Sequence, residues 1–392
     1  MKPVYLNAMA NVCALGQGAE VAHALFAPSP GGVAPTDRHT PGRELHLGCV
    51  TSLLPDISHA PLPQRSRNNA LLLAALEQLR PAAQSAIDRF GPARVAVILG
   101  VSTAGLREGE AAAREFARSA TWPAGFDYAQ QEMGSAGAFA ARELGTHGPT
   151  HVISTACSSG AKALASGARL LRAGLVDAVI AGGADALSGF TIAGFTALES
   201  VSAERCNPMS ANRRGINIGE GAALFVMSRE PGPVRLAGWG ETSDAHHMSA
   251  PDPSGRGAID AMRQALARAG IAANTIDYVN LHGTATPHND AMESLAVMQV
   301  AGPQVPVSST KPLTGHALAA AGAIEAALAW HALVDNPQGR LPPHWWDGQA
   351  DAALAPLRLA QPGETIGRPL RHVLSNSFAF GGNNASLLFA RE

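Results

Sequence analysis

Short apolar runs and longer amphipathic stretches alternate along the chain. RVAVIL at residues 94–99 is a continuous apolar run of the kind found in strands covered on both faces, and VDAVIA at residues 176–181 is predicted to form the next strand. Between them lies an Ala-rich stretch with Leu164, Ala168 and Leu171 on one face of a helix. A strand, a helix and a strand at this spacing predict a right-handed crossover in a parallel sheet, and therefore an α/β protein.

The same alternation extends over the whole chain. Strands are predicted over residues 4–8, 45–51, 94–99, 151–155, 176–181, 234–239, 277–281, 305–308, 372–376 and 385–390. Helices are predicted over residues 19–26, 68–90, 108–117, 135–144, 159–174, 258–269, 291–301 and 316–333. Pro81 is expected to break or kink its helix, and the Pro- and Gly-rich residues 28–41 are expected to form a loop. The sequence REPGP predicts a boundary between two α/β halves, residues 1–232 and 233–392.

Composition limits the classes of function. The 392 residues suffice for two ordinary domains or one large duplicated domain, and a hydrophobic fraction of 46% predicts a large core. The net charge of −2 gives no reason to expect nucleic-acid or membrane binding. Four scattered cysteines without a CxxC pair, and no apolar leader, predict a reducing, cytoplasmic compartment. Residues 317–334 are long enough to span a membrane, but they contain Glu325 and His331 and are predicted as a buried helix.

Cys157 is the first candidate for chemistry. It lies in a turn of small residues, TACSSG, between a predicted strand and a predicted helix. Free amide N–H groups and the positive end of a helix dipole stabilise a thiolate, the reactive form of cysteine. A free cysteine is also often only a small buried hydrophobe, but small neighbours let other groups approach the sulfur. The position favours a nucleophile.

Three further stretches place reactive residues just after predicted strands. His282 is followed by Thr284 and Thr286 in LHGTATPHND, and Lys311 and His316 lie in SSTKPLTGHALAAAG. NSFAFGGNN forms an aromatic and glycine turn between the last two strands. A single histidine is more often structural, and this chain has fourteen. The carboxyl ends of strands are where sites gather in α/β sheets, so a cysteine and two histidines at such corners indicate one site.

These motifs resemble those of the β-ketoacyl-[acyl carrier protein] synthases of the elongating type, in the thiolase-like superfamily. TACSSG matches the nucleophile motif, and HGTAT matches HGTGT with Ala285 in place of Gly. KPLTGHALAAAG matches KSxxGHxxGAAG, with Pro312 and Ala319 as departures, and SFAFGGNN matches GFGGxN with Ala379 in place of Gly. The resemblance covers nearly the whole chain. It implies a duplicated thiolase-like fold, layered αβαβα, with two mixed, largely parallel sheets.

The resemblance also implies a reaction. An acyl chain is loaded onto Cys157, a malonyl thioester is decarboxylated, and the resulting enolate attacks the acyl group. His282 and His316 would donate hydrogen bonds to the malonyl thioester oxygen, and Lys311 would order the two histidines. The backbone N–H groups of Cys157 and Phe380 would form the oxyanion hole. No metal or soluble cofactor is expected, because the phosphopantetheine arm of the carrier protein holds the substrates.

Further residues acquire expected roles from the same resemblance. Thr284 and Thr286 would bind the phosphopantetheine arm, and Glu293 would be the partner of Lys311. Phe378 and Phe380 would line or gate the pocket, although core packing explains such aromatic residues equally well. Lys311 has the alternative of being a surface residue at the start of a helix.

Several departures bear on the substrate. Thr103, in GVSTAGL, falls where fatty acid synthases of this kind often carry an apolar residue that limits the depth of the acyl chain. Met209, Ser210 and Arg214 replace the family's Phe, Asp and Asp, and Asn217 introduces an amide. These departures favour a specialised pathway, such as that of an aryl polyene or related polyketide, over plain long-chain fatty acid synthesis.

The expected partners are an acyl carrier protein and a second subunit. Arg65 and Arg67 resemble family positions that contact the acidic carrier protein, and ordinary solvated charges are the alternative. The dimer is either a homodimer or a heterodimer with a subunit like a chain-length factor.

Three rival functions are less well supported. A thiolase needs a second cysteine in the turn that here contains Phe380, and a starter-type synthase has Asn where this chain has His316. A non-catalytic chain-length factor generally lacks the cysteine, which this chain retains as Cys157.

Overall fold

The structure is a computed structural model that describes residues 2–392. Its strands are β1 (Tyr5–Cys13), β2 (Gly16–Gln17), β3 (Ala34–Thr36), β4 (Leu45–Leu47), β5 (Val95–Gly100), β6 (Thr150–Ile153), β7 (Ala178–Asp185), β8 (Gly221–Ser228), β9 (Val234–Ser243), β10 (Tyr278–Asn280), β11 (Pro306–Ser308), β12 (Arg358–Leu359), β13 (His372–Phe378) and β14 (Asn383–Arg391). Its α-helices are α1 (Ala19–Leu25), α2 (Arg67–Phe90), α3 (Leu106–Ser119), α4 (Gly134–Leu144), α5 (Ser159–Ala173), α6 (Gly189–Ala197), α7 (Arg256–Ala269), α8 (Pro287–Ala301), α9 (Lys311–Thr314) and α10 (Ala321–Leu333).

The strands repeat one arrangement twice. In the first half the order is β6-β5-β7-β8-β1, with two parallel pairings followed by two antiparallel ones. In the second half the order is β11-β10-β13-β14-β9, with the same sequence of directions, and β12 extends it beside β11. A short antiparallel pairing of β1 with β9 joins the two halves. The repeated order and directions confirm the expected duplicated α/β fold.

The layers follow from the burial of alternate residues along the strands. Val97 of β5 packs in one core cluster with α2 and α4, whereas its neighbour Ile98 packs with α5 and α10. Val279 of β10 packs with α7 and α8, and Tyr278 packs toward the central helices. Because side chains alternate across a strand, α5 and α10 form a middle layer between the two halves of the sheet. The order αβαβα is as expected.

The two central helices approach each other at backbone distance. A Cβ atom on Gly160 of α5 would lie 2.8 Å from the carbonyl oxygen of Ala319. A Cβ atom on Gly322 of α10 would lie 3.0 Å from the amide nitrogen of Ala161. These contacts leave no room for a side chain, so they hold the segment that begins α5 against the segment that leads into α10.

Several element boundaries differ from the sequence-based predictions. The helix predicted from residue 316 begins at Ala321, because Leu318 has a left-handed backbone (φ 48°) and residues 318–320 form a 3₁₀ turn. The predicted loop 28–41 contains β3, which pairs with β4, and α2 continues through Pro81. Neither β8 nor α6 was predicted. Most of α10 is buried, and over residues 2–392 we find no helix with the length and apolar character needed to cross a membrane.

Candidate active site

Cys157 lies at a sharp corner between β6 and α5. The corner begins at Ala156, whose backbone is left-handed (φ 51°), and α5 starts two residues after the cysteine. The Ser159 hydroxyl donates to the Ala156 carbonyl oxygen over 2.6 Å and accepts from the Thr155 N–H over 2.9 Å. Cys157 is only 5% exposed. The corner is therefore braced by its own hydroxyl groups, and it presents the sulfur inward at the helix N-terminus.

His316 is in direct contact with the sulfur. Its Nε2 lies 2.9 Å from Cys157 Sγ. The backbone of His316 is held on both sides, since its N–H donates to the Asn217 carbonyl oxygen and its carbonyl accepts from the Gly219 N–H. Burial, followed by the charge of Lys311, holds the pKa of His316 well below its usual value, so the ring is neutral. Among the described residues its Nδ1 has no hydrogen-bond partner.

His282 occupies the corner after β10. Its ring meets the His316 ring edge to face, with the centroids 5.3 Å apart. The N–H groups of His282 and Gly283 donate to the two carboxylate oxygens of Glu293, at 2.8 and 2.7 Å. Burial and the charge of Lys311 also hold the pKa of His282 well below its usual value. Lys311 Nζ lies 3.5 Å from Nδ1 of this ring and can only donate there, so the ring proton is on Nε2.

Lys311 is a fully buried cation, and its partner is Glu325. The ammonium lies 2.5 Å from Glu325 Oε1, and both side chains are at most 2% exposed. The expectation that Glu293 pairs with Lys311 is wrong, because both Glu293 oxygens are taken by backbone N–H groups. Glu325 did carry a signal in the sequence. It is the one charged acid in the Ala-rich stretch 317–334.

The sulfur has a protonated resting state. Burial raises the pKa of the Cys157 thiol to about 11, while the charge of Lys311 and hydrogen bonds from the backbone N–H groups of Phe380 and Cys157 oppose the shift. These two N–H groups are the pair expected to form the oxyanion hole. The turn that carries Phe380 contains Gly381 and Gly382, both with positive φ (79° and 73°), which lets its backbone approach the sulfur.

The three reactive side chains open into a cavity of about 270 Å³. Phe195, which lies 5.7 Å from Phe380 between ring centroids, contributes to its apolar side. Thr284 and Thr286 hydrogen-bond each other over 2.9 Å on its polar side. Seven residues predicted for the site line it together: Cys157, His282, Thr284, Thr286, His316, Phe378 and Phe380.

Thr103 does not line this cavity, contrary to its expected role beside the acyl chain. Its hydroxyl donates to Asp185 Oδ1 over 2.9 Å and accepts from the Ala186 N–H over 3.0 Å. Asp185, a buried carboxyl group, also accepts from the Ala319 N–H over 2.7 Å. Thr103 and Asp185 therefore support the segment after His316 from behind. Asp185 stands out in the sequence as an acid at the end of the otherwise small and apolar strand β7.

Arg67 is not free to meet a partner. Its guanidinium binds both carboxylate oxygens of Glu220, at 2.6 and 2.8 Å, so these contacts do not support the expected carrier-protein contact at this position. Arg65 is exposed, although its Nε donates to the Ala60 carbonyl oxygen. The amide of Asn217 holds the segment 204–206 through hydrogen bonds to Glu204 and Cys206.

The other residues that depart from the family motifs lie outside the cavity, and most of them make hydrogen bonds that hold the local backbone. The Met209 N–H donates to Asp290 Oδ2, and Asp290 Oδ1 accepts from the N–H of Ala285. Ala285 itself has a left-handed backbone (φ 62°) at the place where the family motif has Gly. Ser210 donates to Asp347, and Arg214 is exposed. None of the side chains of Met209, Ser210, Arg214 and Asn217 lines the cavity.

The sulfur and the two histidines could also be considered as metal ligands. One ligand atom from each of Cys157, His282 and His316 falls within 4.8 Å of the others. The ammonium of Lys311, however, faces the His282 ring, and a fixed positive charge opposes a divalent cation. The donor set is therefore better suited to proton transfer and hydrogen bonding than to holding an ion.

A buried cysteine with two neutral histidines, set at strand ends of a duplicated α/β fold, is the arrangement that the resemblance to the thiolase-like superfamily predicts. Comparison with family models is more specific. Residues 46–231 match the N-terminal domain of beta-ketoacyl synthase, and residues 234–344 match its C-terminal domain. The chain belongs to the β-ketoacyl synthase family.

Individual relatives agree with this assignment. The mitochondrial 3-oxoacyl-[acyl-carrier-protein] synthase of Arabidopsis thaliana is 35% identical over 63% of this chain and 58% of that protein. Nodulation protein E of Rhizobium sp. (strain N33) is 34% identical over 88% of this chain and 89% of that protein. The chain spans between 58% and 63% of the length of the first three synthases it matches. A solved structure of the ketosynthase ApeO in complex with its chain length factor ApeC, from Xenorhabdus doucetiae, is 44% identical with a TM-score of 0.93, covering 100% of this chain and 98% of that one.

Proposed function

We propose that this chain is a 3-oxoacyl-[acyl carrier protein] synthase that joins an acyl chain, held on Cys157, to malonyl-[acyl carrier protein] with loss of CO₂. The observation that carries the proposal is the contact of 2.9 Å between Cys157 Sγ and His316 Nε2, with His282 beside them and all three lining one cavity. This arrangement places one nucleophile and two hydrogen-bonding rings around a single small volume.

The first half-reaction transfers the acyl group to the enzyme. The thiol needs a proton acceptor, because burial raises its pKa to about 11, and the neutral ring of His316 offers Nε2 at contact distance. The thiolate attacks the carbonyl carbon of the acyl thioester, and the oxyanion that forms accepts from the N–H groups of Cys157 and Phe380. The carbon–sulfur bond to the carrier then breaks, and the departing thiolate takes the proton from His316.

The second half-reaction makes the carbon–carbon bond. The Nε2–H of His282 donates to the thioester oxygen of the malonyl group, where negative charge collects as CO₂ leaves. His316 donates to the same oxygen in the tautomer that carries its single ring proton on Nε2, which its unpartnered Nδ1 allows. The enolate carbon then attacks the acyl carbon on Cys157, and the Cys157 thiolate is expelled. Lys311 supports this step through His282, since its ammonium faces Nδ1 and keeps the ring proton on Nε2. Glu325 compensates the buried charge of Lys311.

The substrate is proposed to be a specialised acyl chain, such as that of an aryl polyene or a related polyketide. The motif departures raise this idea, although their side chains lie outside the cavity. Further support comes from a ketosynthase solved in complex with its chain length factor, which is 44% identical over the whole chain, whereas the 3-oxoacyl-[acyl-carrier-protein] synthases are about 35% identical over part of the chain. Thr284 and Thr286 are proposed to bind the phosphopantetheine arm, and Phe378 and Phe380 to line its path.

The proposed partners are an acyl carrier protein and a subunit like a chain-length factor. The names of the relatives support the first and the complex of ApeO with ApeC supports the second. Arg65 is the remaining candidate for the carrier-protein contact. We also propose that residues 1–232, with Cys157, and residues 233–392, with the two histidines and Lys311, are the two halves of one duplicated unit. The four free cysteines agree with a cytoplasmic location.

Mass spectrometry of the intact protein tests the proposal. After incubation with an acyl-[acyl carrier protein], the wild type should gain one acyl group on Cys157, and it should release CO₂ from malonyl-[acyl carrier protein]. Cys157→Ala should lose condensation by roughly a thousandfold or more. His282→Ala should lose about a hundred- to a thousandfold of the decarboxylation rate.

Cys206→Ala is the matched control, because Cys206 is buried outside the cavity and should leave acylation intact. A wild type that is never acylated, or a Cys157→Ala variant that condenses normally, would contradict the proposed function.

A further inference from the structure

Lys162 is a half-buried cation that the reaction proposed above does not use. It lies in the first turn of α5, five residues after Cys157, and its Nζ donates to Asn383 Oδ1 over 2.8 Å. Burial lowers the pKa of this lysine. Its partner is a neutral amide that belongs to the other half of the chain, 221 residues away in sequence. Such a contact gives little charge stabilisation, and its effect is to fix one segment against the other.

Asn383 closes the turn that carries the Phe380 N–H. The Ala379 N–H donates to the Asn383 carbonyl oxygen over 2.8 Å, across a turn whose two central glycines are left-handed. Glycine gives a backbone more freedom than any other residue, so the position of this turn depends on its outside contacts.

The turn has outside contacts on two sides. The segment 244–248 supports one side, where the Gly381 N–H donates to the Met248 carbonyl oxygen over 2.7 Å and the Asp244 N–H donates to the Gly382 carbonyl oxygen over 2.9 Å. Lys162 supports the side toward α5.

We propose that Lys162 is a positioning residue, which acts through Asn383 to hold the Phe380 N–H at a fixed place relative to the Cys157 sulfur. Cys157 lies two residues before the start of α5, so a link between α5 and the turn sets the distance between the nucleophile and the oxyanion donor. The proposal rests on the proposed function, since only an acyl-transfer reaction creates an oxyanion for that donor to stabilise. A misplacement of the order of 1 Å can cost roughly a hundredfold in rate.

The test compares two reactions of the same sulfur. Acylation by an acyl thioester passes through an oxyanion, whereas alkylation by iodoacetamide does not. Lys162→Met should slow acylation by roughly ten- to a hundredfold and should change the rate of alkylation by less than about twofold. Lys162→Arg should recover part of the acylation rate, because a guanidinium can still donate to the amide oxygen.

A double-mutant comparison tests whether Lys162 acts through Asn383. Asn383→Ala should slow acylation to a similar extent, and the double variant should be no slower than either single variant, because both remove the same link. Arg169→Met is the matched control: it removes a positive charge from the exposed side of the same helix and should leave both rates unchanged. If Lys162→Met does not fold, the rates of acylation and alkylation are compared for Asn383→Ala alone, which removes the same hydrogen bond.

The possible outcomes separate this proposal from the proposed function. Equal slowing of alkylation and acylation, multiplied effects in the double variant, or an equal effect of Arg169→Met would overturn the role of Lys162 and leave the reaction standing. A wild type that is alkylated on Cys157 but accepts no acyl group would overturn both.

Discussion

Glu293, a buried acid of the site, binds backbone N–H groups rather than a cation. Glu293 is fully buried and accepts from the N–H groups of His282 and Gly283. Burial raises its pKa to about 7, against the partial opposition of those hydrogen bonds. The group therefore changes its charge near neutral pH, at the point where the chain turns from β10 into the cavity.

Glu293→Gln should change how stability depends on pH. The folded-state pKa of about 7 lies above the unfolded value near 4.5, so the native protein binds the extra proton between these two pH values. The stabilisation from Glu293 is complete below about pH 4.5 and is lost as the pH rises to about 7. The free energy of unfolding of the wild type should therefore fall relative to that of the variant over this range, as measured by urea unfolding at a series of pH values.

Glu77→Gln, on the exposed side of α2, is the matched control for the loss of a carboxylate. A constant difference between wild type and Glu293→Gln would show that the carboxyl does not titrate there.

At this scale the sequence predicted the reactive residues but not their supports. Cys157, His282 and His316 were found because each follows a predicted strand, and the carboxyl ends of neighbouring parallel strands lie at the same edge of a sheet. The partner of Lys311 was wrongly assigned, because Glu293 and Glu325 are both buried acids and only the folded backbone decides which carboxyl the N–H groups occupy. Thr103 was misplaced for the same reason, since it lies in the loop after β5 and its partner Asp185 ends strand β7.

The middle layer depends on small residues at the contact of α5 with α10. Helices usually pack with their axes 8–10 Å apart, and shorter distances require glycine or alanine at the crossing. Gly160 and Gly322 meet this requirement, and Gly160 is three residues from the nucleophile.

Gly160→Ala should therefore destabilise the protein, although alanine favours helices in general. The added Cβ would lie 2.8 Å from both the Ala319 carbonyl oxygen and the Ala323 amide nitrogen, which are rigid backbone atoms. Overpacking of this kind costs about 1–3 kcal/mol, which urea unfolding would detect.

Gly194→Ala in α6 is the control, because a Cβ there meets no atom within 4 Å and should be neutral or stabilising by up to about 1 kcal/mol. If Gly160→Ala were as stable as Gly194→Ala, the close contact of the two central helices would be wrong.

Elements with a strong pattern were predicted well. The apolar runs of β5 and β7 and the long helix α2 agree with the sequence-based prediction within a few residues. The start of α10 was placed five residues early, because the left-handed backbone at Leu318 has no signature in an Ala-rich sequence. The strand β8 was missed although GAALFVMS is a continuous apolar run, since such a run does not distinguish a strand from a buried helix.

At the scale of the whole molecule, the first half of the chain carries exposed aromatic rings on and beside helices α3 and α6. Trp122 stacks between Phe116 and Phe126, with centroids 4.6 and 5.3 Å away, and Phe190 on the neighbouring helix α6 is 66% exposed. The strand β6 ends the sheet on the same half of the chain, and its outer edge has no partner strand within residues 2–392. Exposed apolar groups and free strand edges both favour association with another subunit.

Phe190→Asp should weaken the proposed complex with a subunit like a chain-length factor. Burying a phenylalanine side chain contributes about 1.5–3 kcal/mol, so the Kd should rise by roughly ten- to a hundredfold, as measured by sedimentation velocity of the co-expressed pair. Leu175→Asp is the control, because Leu175 is similarly exposed but follows the end of α5. An unchanged Kd for Phe190→Asp, or a chain that prefers to pair with itself, would contradict the heterodimer.

The left-handed backbones beside the reactive residues have a consequence for the evolution of the protein. Ala156, Ala285 and Leu318 each hold a conformation that an L-residue adopts at a cost of roughly 1–2 kcal/mol, and each lies within three residues of Cys157, His282 or His316. A glycine at position 285, as in the family motif, would relax the backbone without replacing a reacting side chain. Such a substitution near the reactive residues would therefore raise the free energy of unfolding. The added stability would let the protein tolerate destabilising mutations elsewhere in the chain.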